Sequence, residues 1–462
     1  MLARLIEAHG EQVAEFAPLT AAICVVHDQP RLRHVNENAV PLLDAVELFA
    51  YFARHERTLH FSLSDTPASQ LIFLVDANGT LEELDWARRY RRDTNLGNRY
   101  QEIEYDDTGV TGVKRLTAGG EFTLQKIREL GGICADQAYF AMTVGKANGV
   151  PTCYVSGRGG DTSHAWLGFL EKAGRKGARW NFTAGRYASY EDVQGKVTEP
   201  QTWTKVPDAN ISIAGYATWF KPEARQQSAA LTDAAVRLGV LAWQNGGARA
   251  VNADLTDRQL DILEQAIRAN PGNVRAWLLA RDRLAVEGMP LRQRERWARE
   301  IDQLAGQTSP DFAFEMLEPI FNAEASPRVR YNLWDWAATR FGDRQDLPAR
   351  ARLAQVRILI EEGKPAPAYE AARAIFEQYN RGGPVAVEAL KIAESLLEQR
   401  GDTKAVLELY MWAFDQLRSP GKKRIEFLRQ STWYQVGTRY LELLDAAGET
   451  RRAAVLRRQL GL

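Results

Sequence analysis

From about residue 223 to the C-terminus, the sequence repeats one pattern: a helix, a tight turn and a second helix. Three of the turns contain a glycine, and an alanine follows four or five positions later. These pairs are Gly363 with Ala368, Gly401 with Ala405, and Gly448 with Ala453. Glycine adopts the backbone angles of a tight turn, and alanine lets two helices approach closely. Residues 223–462 are therefore predicted to form an all-α domain of helical hairpins.

The middle of the chain, residues 111–222, differs in composition: it is rich in glycine, and its predicted helices and strands are short. "FTLQKIREL" predicts a helix that ends at Gly131-Gly132, and a second helix is predicted from Cys134 to about Ala147. The segments "TCYVS", "HAWLGFL" and "RWNFT" then read as strands separated by turn residues. This order predicts an α+β core in which a helix precedes an antiparallel sheet.

Residues 1–110 mix helix-like and strand-like patterns. "AAICVVH" and "QLIFLVDANGTLEEL" contain short apolar runs of the kind that a buried strand has, and the second closes on an Asn78-Gly79 turn. We expect a mixed α/β region that packs on the core.

Composition limits the classes of partner. Lys plus Arg and Asp plus Glu each total 59, so no net field favours nucleic acid or an anionic membrane. No uncharged apolar run approaches the roughly 20 residues of a membrane span. The three cysteines are too few for a disulfide framework, and the charged N-terminus is no secretory signal. We expect a cytoplasmic protein that binds neither nucleic acid nor membrane, with export left open if a leader precedes this numbering.

Cys134 is the first candidate for chemistry. It follows Gly131-Gly132 and begins a predicted helix, where free backbone N–H groups and the positive end of the helix dipole favour a thiolate. The glycines leave the approach to the sulfur open. We expect an ionised nucleophile, the alternative being an inert thiol that fills a packing gap.

A thiol nucleophile needs a base, and His164 is the histidine of the middle region. It begins the strand "HAWLGFL", which could pack against the start of the Cys134 helix. A third polar group on the next strand would hold the ring in its reactive tautomer. Asn181, in "RWNFT", is the candidate for that role.

These motifs together resemble the transglutaminase-like superfamily. "GGICADQA", "NGVPTCYVSG", "SHAW" and a strand containing tryptophan occur in the family's order within about residues 115–195. The resemblance implies a papain-like core with Cys134 as nucleophile, His164 as base and Asp136 as a structural companion. The family's third residue is an aspartate, and its usual register here falls on Ala184. Asn181 would then replace it, with Asp192 as a weaker candidate.

The C-terminal pattern resembles a degenerate tetratricopeptide array, although its spacing is irregular. Such arrays stack helical hairpins and offer an extended surface for binding. A protein partner is therefore expected to bind the C-terminal helical repeats.

Together these features predict acyl transfer on amide bonds of peptides or proteins through a Cys134 thioester, with hydrolysis favoured over transamidation. The alternative is an inactive adaptor that binds partners through its helical repeats. No set of three convergent ligands predicts a metal, and no cofactor is expected. Cys153 reads as a core thiol, and "GRGGDTS", residues 157–163, reads as a flexible turn at the edge of the cleft, because it lacks the lysine and helix of a phosphate loop.

Overall fold

The computed structural model describes residues 1–35, 38–118, 121–174, 177–246, 253–344, 346–380, 383–421 and 423–462. The chain is a mixed α/β protein with an antiparallel sheet and a helical C-terminal region. None of the helices in these ranges combines the length and apolarity that crossing a bilayer requires.

The N-terminal part is mostly helical, with one small hairpin. Its elements are α1 (Leu2–His9), α2 (Gln12–Glu15), α3 (Ala17–Val26), β1 (Leu32–Val35), β2 (Asn38–Pro41), α4 (Ala45–His55), α5 (Ala68–Val75), α6 (Leu81–Tyr90), α7 (Leu96–Gln101), α8 (Asp107–Thr111) and α9 (Arg115–Ala118). The two apolar runs that looked strand-like fall in α3 and α5, so that interpretation is wrong. Both helices bury apolar residues on most sides, and periodicity alone does not separate a short buried helix from a buried strand.

The central part contains two helices and a five-stranded sheet. Its elements are α10 (Leu124–Leu130), α11 (Cys134–Ala147), β3 (Thr152–Arg158), β4 (Ser163–Ala173), β5 (Gly177–Asn181), β6 (Lys196–Thr198) and β7 (Lys205–Pro207). The strand order is β5-β4-β3-β6-β7, and every neighbouring pair is antiparallel. The helix predicted from Cys134 to about Ala147 and the three predicted strands are confirmed.

Helices cover both faces of this sheet. On one face, the Thr152 hydroxyl donates to a carbonyl of α11 at 2.9 Å. On the other face, the Trp180 indole N–H donates to Gln70 of α5 at 2.8 Å. One apolar cluster runs from Leu5 to Ile211, so residues 1–110 share the core of the sheet.

The C-terminal part is helical in its described residues. Its helices are α12 (Asp208–Gly215), α13 (Pro222–Gly246), α14 (Ala253–Ala269), α15 (Val274–Leu284), α16 (Leu291–Ile301), α17 (Pro310–Asn322), α18 (Pro327–Arg340), α19 (Asp346–Glu361), α20 (Pro365–Tyr379), α21 (Pro384–Glu398), α22 (Thr403–Asp415), α23 (Ile425–Leu428), α24 (Thr432–Ala446) and α25 (Thr450–Leu460). Gly363, Gly401 and Gly448 each lie between two helices with φ of 70°, 70° and 73°. The predicted glycine turns are therefore confirmed.

The C-terminal helical region returns to the central sheet. The backbone N–H of Arg424 donates to Val110 O at 2.7 Å, and that of Thr432 donates to Gly160 O at 2.7 Å. Between the two parts lies a cavity of about 990 Å³, lined by the β3–β4 hairpin on one side and by residues of α19 and of the last helices on the other.

Candidate active site

Two glycines determine how the chain enters α11. Gly131 has φ +75°, and a Cβ there would lie 2.4 Å from the carbonyl oxygen of Glu104. A Cβ on Gly132 would lie 2.5 Å from the Cβ of Asp136. The Asp136 carboxylate accepts a hydrogen bond from Ile133 N at 3.0 Å, which caps the helix start. The glycine pair and Asp136 thus place Cys134 at the first position of α11.

The thiol of Cys134 lies against the edge of β4 at Ala165. The backbone N–H groups of Ala165, Ala135 and Cys134 itself are directed at the sulfur. The Ala165 carbonyl at the same edge accepts the Tyr100 hydroxyl at 2.8 Å. Two residues further along, Leu167 N donates to Ala184 O at 3.0 Å, so the chain after β5 covers the edge there. At Ala165 a thiol and a phenol take the place of a neighbouring strand.

The protonation state of Cys134 differs from the predicted thiolate. Burial raises the pKa of this thiol, and the Asp136 carboxylate raises it further. The three N–H groups lower the pKa by less than burial and Asp136 together raise it. The expectation that the helix start and the imidazole hold an ionised sulfur is therefore wrong, because burial and the Asp136 carboxylate together disfavour a charge more than the N–H groups favour it. Cys134 is a neutral thiol at pH 7.

His164 occupies the second position of β4 and is 5% exposed. Its Nε2 lies 2.6 Å from the carbonyl oxygen of Gly185. Because a carbonyl only accepts, Nε2 carries the proton and Nδ1 has a free lone pair. Burial lowers the pKa of this imidazole, and the Gly185 bond opposes that shift. His164 is therefore mostly neutral at pH 7 and can accept a proton.

Cys134 and His164 approach each other from different faces of the sheet. The register and the alternation of side chains place Ala165 on the Thr152 face, which α11 covers. His164 shares the other face with Trp166, whose ring is 5.9 Å away. No hydrogen bond joins the imidazole to the thiol in the part of the chain that the structure describes. The open edge of β4 at Ala165, where no residue of β5 pairs, lies between the two groups.

Tyrosines surround this edge. A charge on Cys134 would raise the pKa of nearby phenols, those of Tyr100, Tyr105, Tyr154, Tyr187 and Tyr190. Tyr187 stacks on His164 with ring centroids 4.2 Å apart, and Tyr190 lies 4.8 Å from the same ring. Tyr187 is 41% exposed, so it separates the imidazole from solvent. Tyr187 and Tyr190 are thus neighbours of both Cys134 and His164.

The structure does not bring Asn181 to the imidazole. Asn181 pairs with Phe169, five residues along β4 from His164, which corresponds to roughly 16 Å at strand geometry. Its side-chain oxygen instead accepts from the N–H and hydroxyl of Thr183 at 2.9 and 2.8 Å. The chain after β5 turns back beside β4, so the Gly185 carbonyl takes the position predicted for Asn181.

The other candidates lie away from the thiol. Asp192 forms an ion pair with Arg344 of the C-terminal region at 3.3 Å. Cys153 is 3% exposed in the core, where burial strongly raises its pKa. Among the described residues, no group of three or more His, Cys, Asp or Glu side chains is arranged to hold a metal ion.

The sequence analysis missed the tyrosines and Gly185. Tyr100 and Tyr105 belong to the N-terminal region, which reaches the start of α11 through tertiary hydrogen bonds. Among them, Gly132 N donates to Glu104 O at 3.0 Å and the Gln137 side chain donates to Ile103 O at 2.8 Å. "GRY", residues 185–187, lies a few residues after β5, and its tyrosine is the signal that the sequence offers.

No protein-family model matches this chain, and no curated protein matches it in sequence.

Proposed function

We propose that this protein is a cysteine-dependent enzyme of the transglutaminase-like type that transfers acyl groups from amide bonds of peptides or proteins. The observation that carries the proposal is the placement of the Cys134 sulfur against Ala165 N–H, one residue after His164, whose Nδ1 accepts no hydrogen bond from the described residues. The ordered motifs around Cys134 and His164 support it.

Both groups are neutral at rest, so the chemistry would start with general-base catalysis and not with a preformed ion pair. As the sulfur attacks the amide carbonyl carbon, Nδ1 of His164 takes the thiol proton. The C–N bond then breaks, the imidazolium returns the proton to the leaving amine, and a Cys134 thioester remains. Water completes hydrolysis by the reverse sequence, and an amine in place of water would give transamidation.

Two features bear on the individual steps. The N–H groups of Cys134 and Ala135, which point at the sulfur at rest, are suited to stabilise the oxyanion that forms on the carbonyl oxygen. The Gly185 carbonyl would hold the imidazole in the tautomer that presents Nδ1. Catalytic hydrogen bonds are often long or poorly aligned without substrate, so the lack of a direct Cys134–His164 bond at rest is compatible with the proposal.

The second candidate is an inactive adaptor that binds protein partners through its tetratricopeptide-like helices. The raised pKa of Cys134 and the replacement of the family's aspartate by a backbone carbonyl favour it. The two candidates differ in whether the thiol forms an acyl-enzyme.

Acylation by p-nitrophenyl acetate distinguishes them. We expect a burst of one p-nitrophenolate per chain and one acetyl group on the Cys134 peptide by mass spectrometry. Cys134→Ala abolishes the burst, His164→Ala slows it about 100-fold or more, and Cys24→Ser serves as the control. If Cys134 acquires no acetyl group, or if His164→Ala acylates at the wild-type rate, the protein is not the enzyme proposed.

A further inference from the structure

The segment just before His164 is a glycine-rich hairpin tip. Residues 157–163, "GRGGDTS", contain three glycines and comprise the end of β3, the turn and the first residue of β4. Glycine restricts the backbone least, so this tip has little rigidity of its own. The register pairs Arg158 with Ser163 and, next to them, Gly157 with His164. The position of His164 therefore depends on how the tip is held.

Residues from the C-terminal helical region hold it. Gln430, between α23 and α24, receives two hydrogen bonds from the pair that precedes His164. The Arg158 guanidinium donates to its backbone carbonyl at 3.0 Å, and the Ser163 hydroxyl donates to its side-chain oxygen at 2.6 Å. Thr432 N donates to Gly160 O at 2.7 Å in the same loop. The tip is thus attached to a segment about 270 residues later in sequence.

From these contacts we propose that Gln430 is a positioning residue for His164. By fixing Ser163 and Arg158, it sets the start of β4 and so the place of the imidazole at the open strand edge. The C-terminal helical region would then be part of the active-site structure as well as a surface for partners. The expected effect on catalysis rests on the proposed function. The expected effect on the position of the His164 imidazole does not.

Gln430 touches no reacting atom, so the effect must appear at His164. Gln430→Ala removes the side-chain acceptor and leaves the backbone carbonyl to Arg158. Ser163→Ala removes the same hydrogen bond from the other end. Gln430→Glu keeps an oxygen acceptor for Ser163. Gln399→Ala, at an exposed glutamine that directly follows α21, is the matched control.

The experiment uses the full chain and two readouts. We expect the His164 imidazole resonances and its NMR titration midpoint to shift in Gln430→Ala and Ser163→Ala, with acylation by p-nitrophenyl acetate slowed about threefold to tenfold, the range that one hydrogen bond supports. The double variant should be no worse than either single variant, because both remove the same bond. Gln430→Glu should restore the values, and Gln399→Ala should match the wild type.

The NMR readout decides this inference independently of catalysis. Unchanged His164 resonances and midpoint in both single variants would overturn it, as would additive losses that Gln430→Glu does not restore. A failure of the proposed function would be seen in the acylation assay instead: Cys134 would not be acylated, or His164→Ala would not slow its acylation. The two failures are therefore separable in one set of variants.

Discussion

The Nε2 of His164 donates to the carbonyl oxygen of Gly185 across 2.6 Å. A backbone group thus orients the imidazole, where the motifs had pointed to a polar side chain. A carbonyl fixes the tautomer as well as a carboxylate does, but it carries no charge to stabilise an imidazolium. The neutral ring is accordingly favoured at rest.

We expect His164 to titrate below the ordinary histidine value of about 6.5, since burial lowers its pKa. Long-range ¹H–¹⁵N correlation at pH 7 should show a neutral ring protonated on Nε2. The urea-unfolded chain provides the reference midpoint. A ring that is mainly protonated at pH 7, or that carries its proton on Nδ1, would contradict this assignment.

Asn181→Ala should affect stability and leave the chemistry alone. It removes the two hydrogen bonds to Thr183, which lowers the free energy of unfolding by about 0.5–1.5 kcal/mol per bond at most. Acylation of Cys134 should stay at the wild-type rate, because Asn181 does not reach the imidazole. Urea denaturation and the p-nitrophenyl acetate assay check the two parts, with Asn181→Asp as the control that keeps the acceptor. A large loss of acylation in a folded Asn181→Ala would restore Asn181 to the site.

The local parts of the site could be predicted from the sequence. The start of α11 at Cys134 follows from its glycine pair and from Asp136, which lie within five residues of one another. His164 could be placed on a strand from the alternation of its neighbours. Both predictions depend only on residues that are close together in the chain, so one sequence is enough to make them.

The remainder depends on residues distant in sequence. The Gly185 carbonyl has no side chain that marks its role, and Tyr100 reaches Ala165 from the N-terminal region. The pKa of Cys134 was predicted in the wrong direction because helix position is a local property, whereas burial is a property of the whole fold. The face that His164 occupies follows from register, which a single strand pattern does not fix.

The glycine before α11 supports a prediction about close packing. Gly131→Ala must adopt φ +75° with ψ −172°, a combination that is essentially limited to glycine, and also place a Cβ 2.4 Å from Glu104 O. Gly401→Ala has a similar φ of 70° with no atom within 4 Å of its Cβ, so it carries the conformational cost alone. We expect Gly401→Ala to destabilise by about 1–2 kcal/mol and Gly131→Ala by clearly more, with slower Cys134 acylation in Gly131→Ala only. Equal destabilisation of the two variants in urea would show that Glu104 moves aside freely.

Cys134 should react slowly with iodoacetamide at neutral pH. Burial raises its pKa above the ordinary thiol value, so little thiolate is present at pH 7. The second-order rate constant, followed on the Cys134 peptide by mass spectrometry, should be below that of free cysteine and rise steadily beyond pH 9. The urea-unfolded chain is the internal control. A plateau already reached below pH 8 would indicate the ion pair that the sequence suggested.

Asp208 gives a prediction about stability and pH. Burial and the nearby Asp311 raise its pKa from 3.8 to about 7, despite Arg186 at 3.8 Å. A raised folded pKa means that the unfolded chain loses this proton first as pH rises. The contribution of Asp208 to the free energy of unfolding is therefore complete below about pH 4 and declines as the pH rises to about 7. At 1.36 kcal/mol per pH unit, the decline is at most about 4 kcal/mol.

Asp208→Asn removes this titration and keeps an oxygen that can accept from Gly195 N, as the carboxylate does at 3.2 Å. We expect urea denaturation to give a smaller loss of unfolding free energy between pH 4 and 8 in the variant than in the wild type. The exposed Asp343→Asn should follow the wild-type curve. If the free energies of unfolding of the wild type and Asp208→Asn change in parallel between pH 4 and 8, the prediction is wrong. The Asp208 carboxyl then ionises in the folded protein as readily as in the unfolded chain, because Arg186 compensates its burial in full.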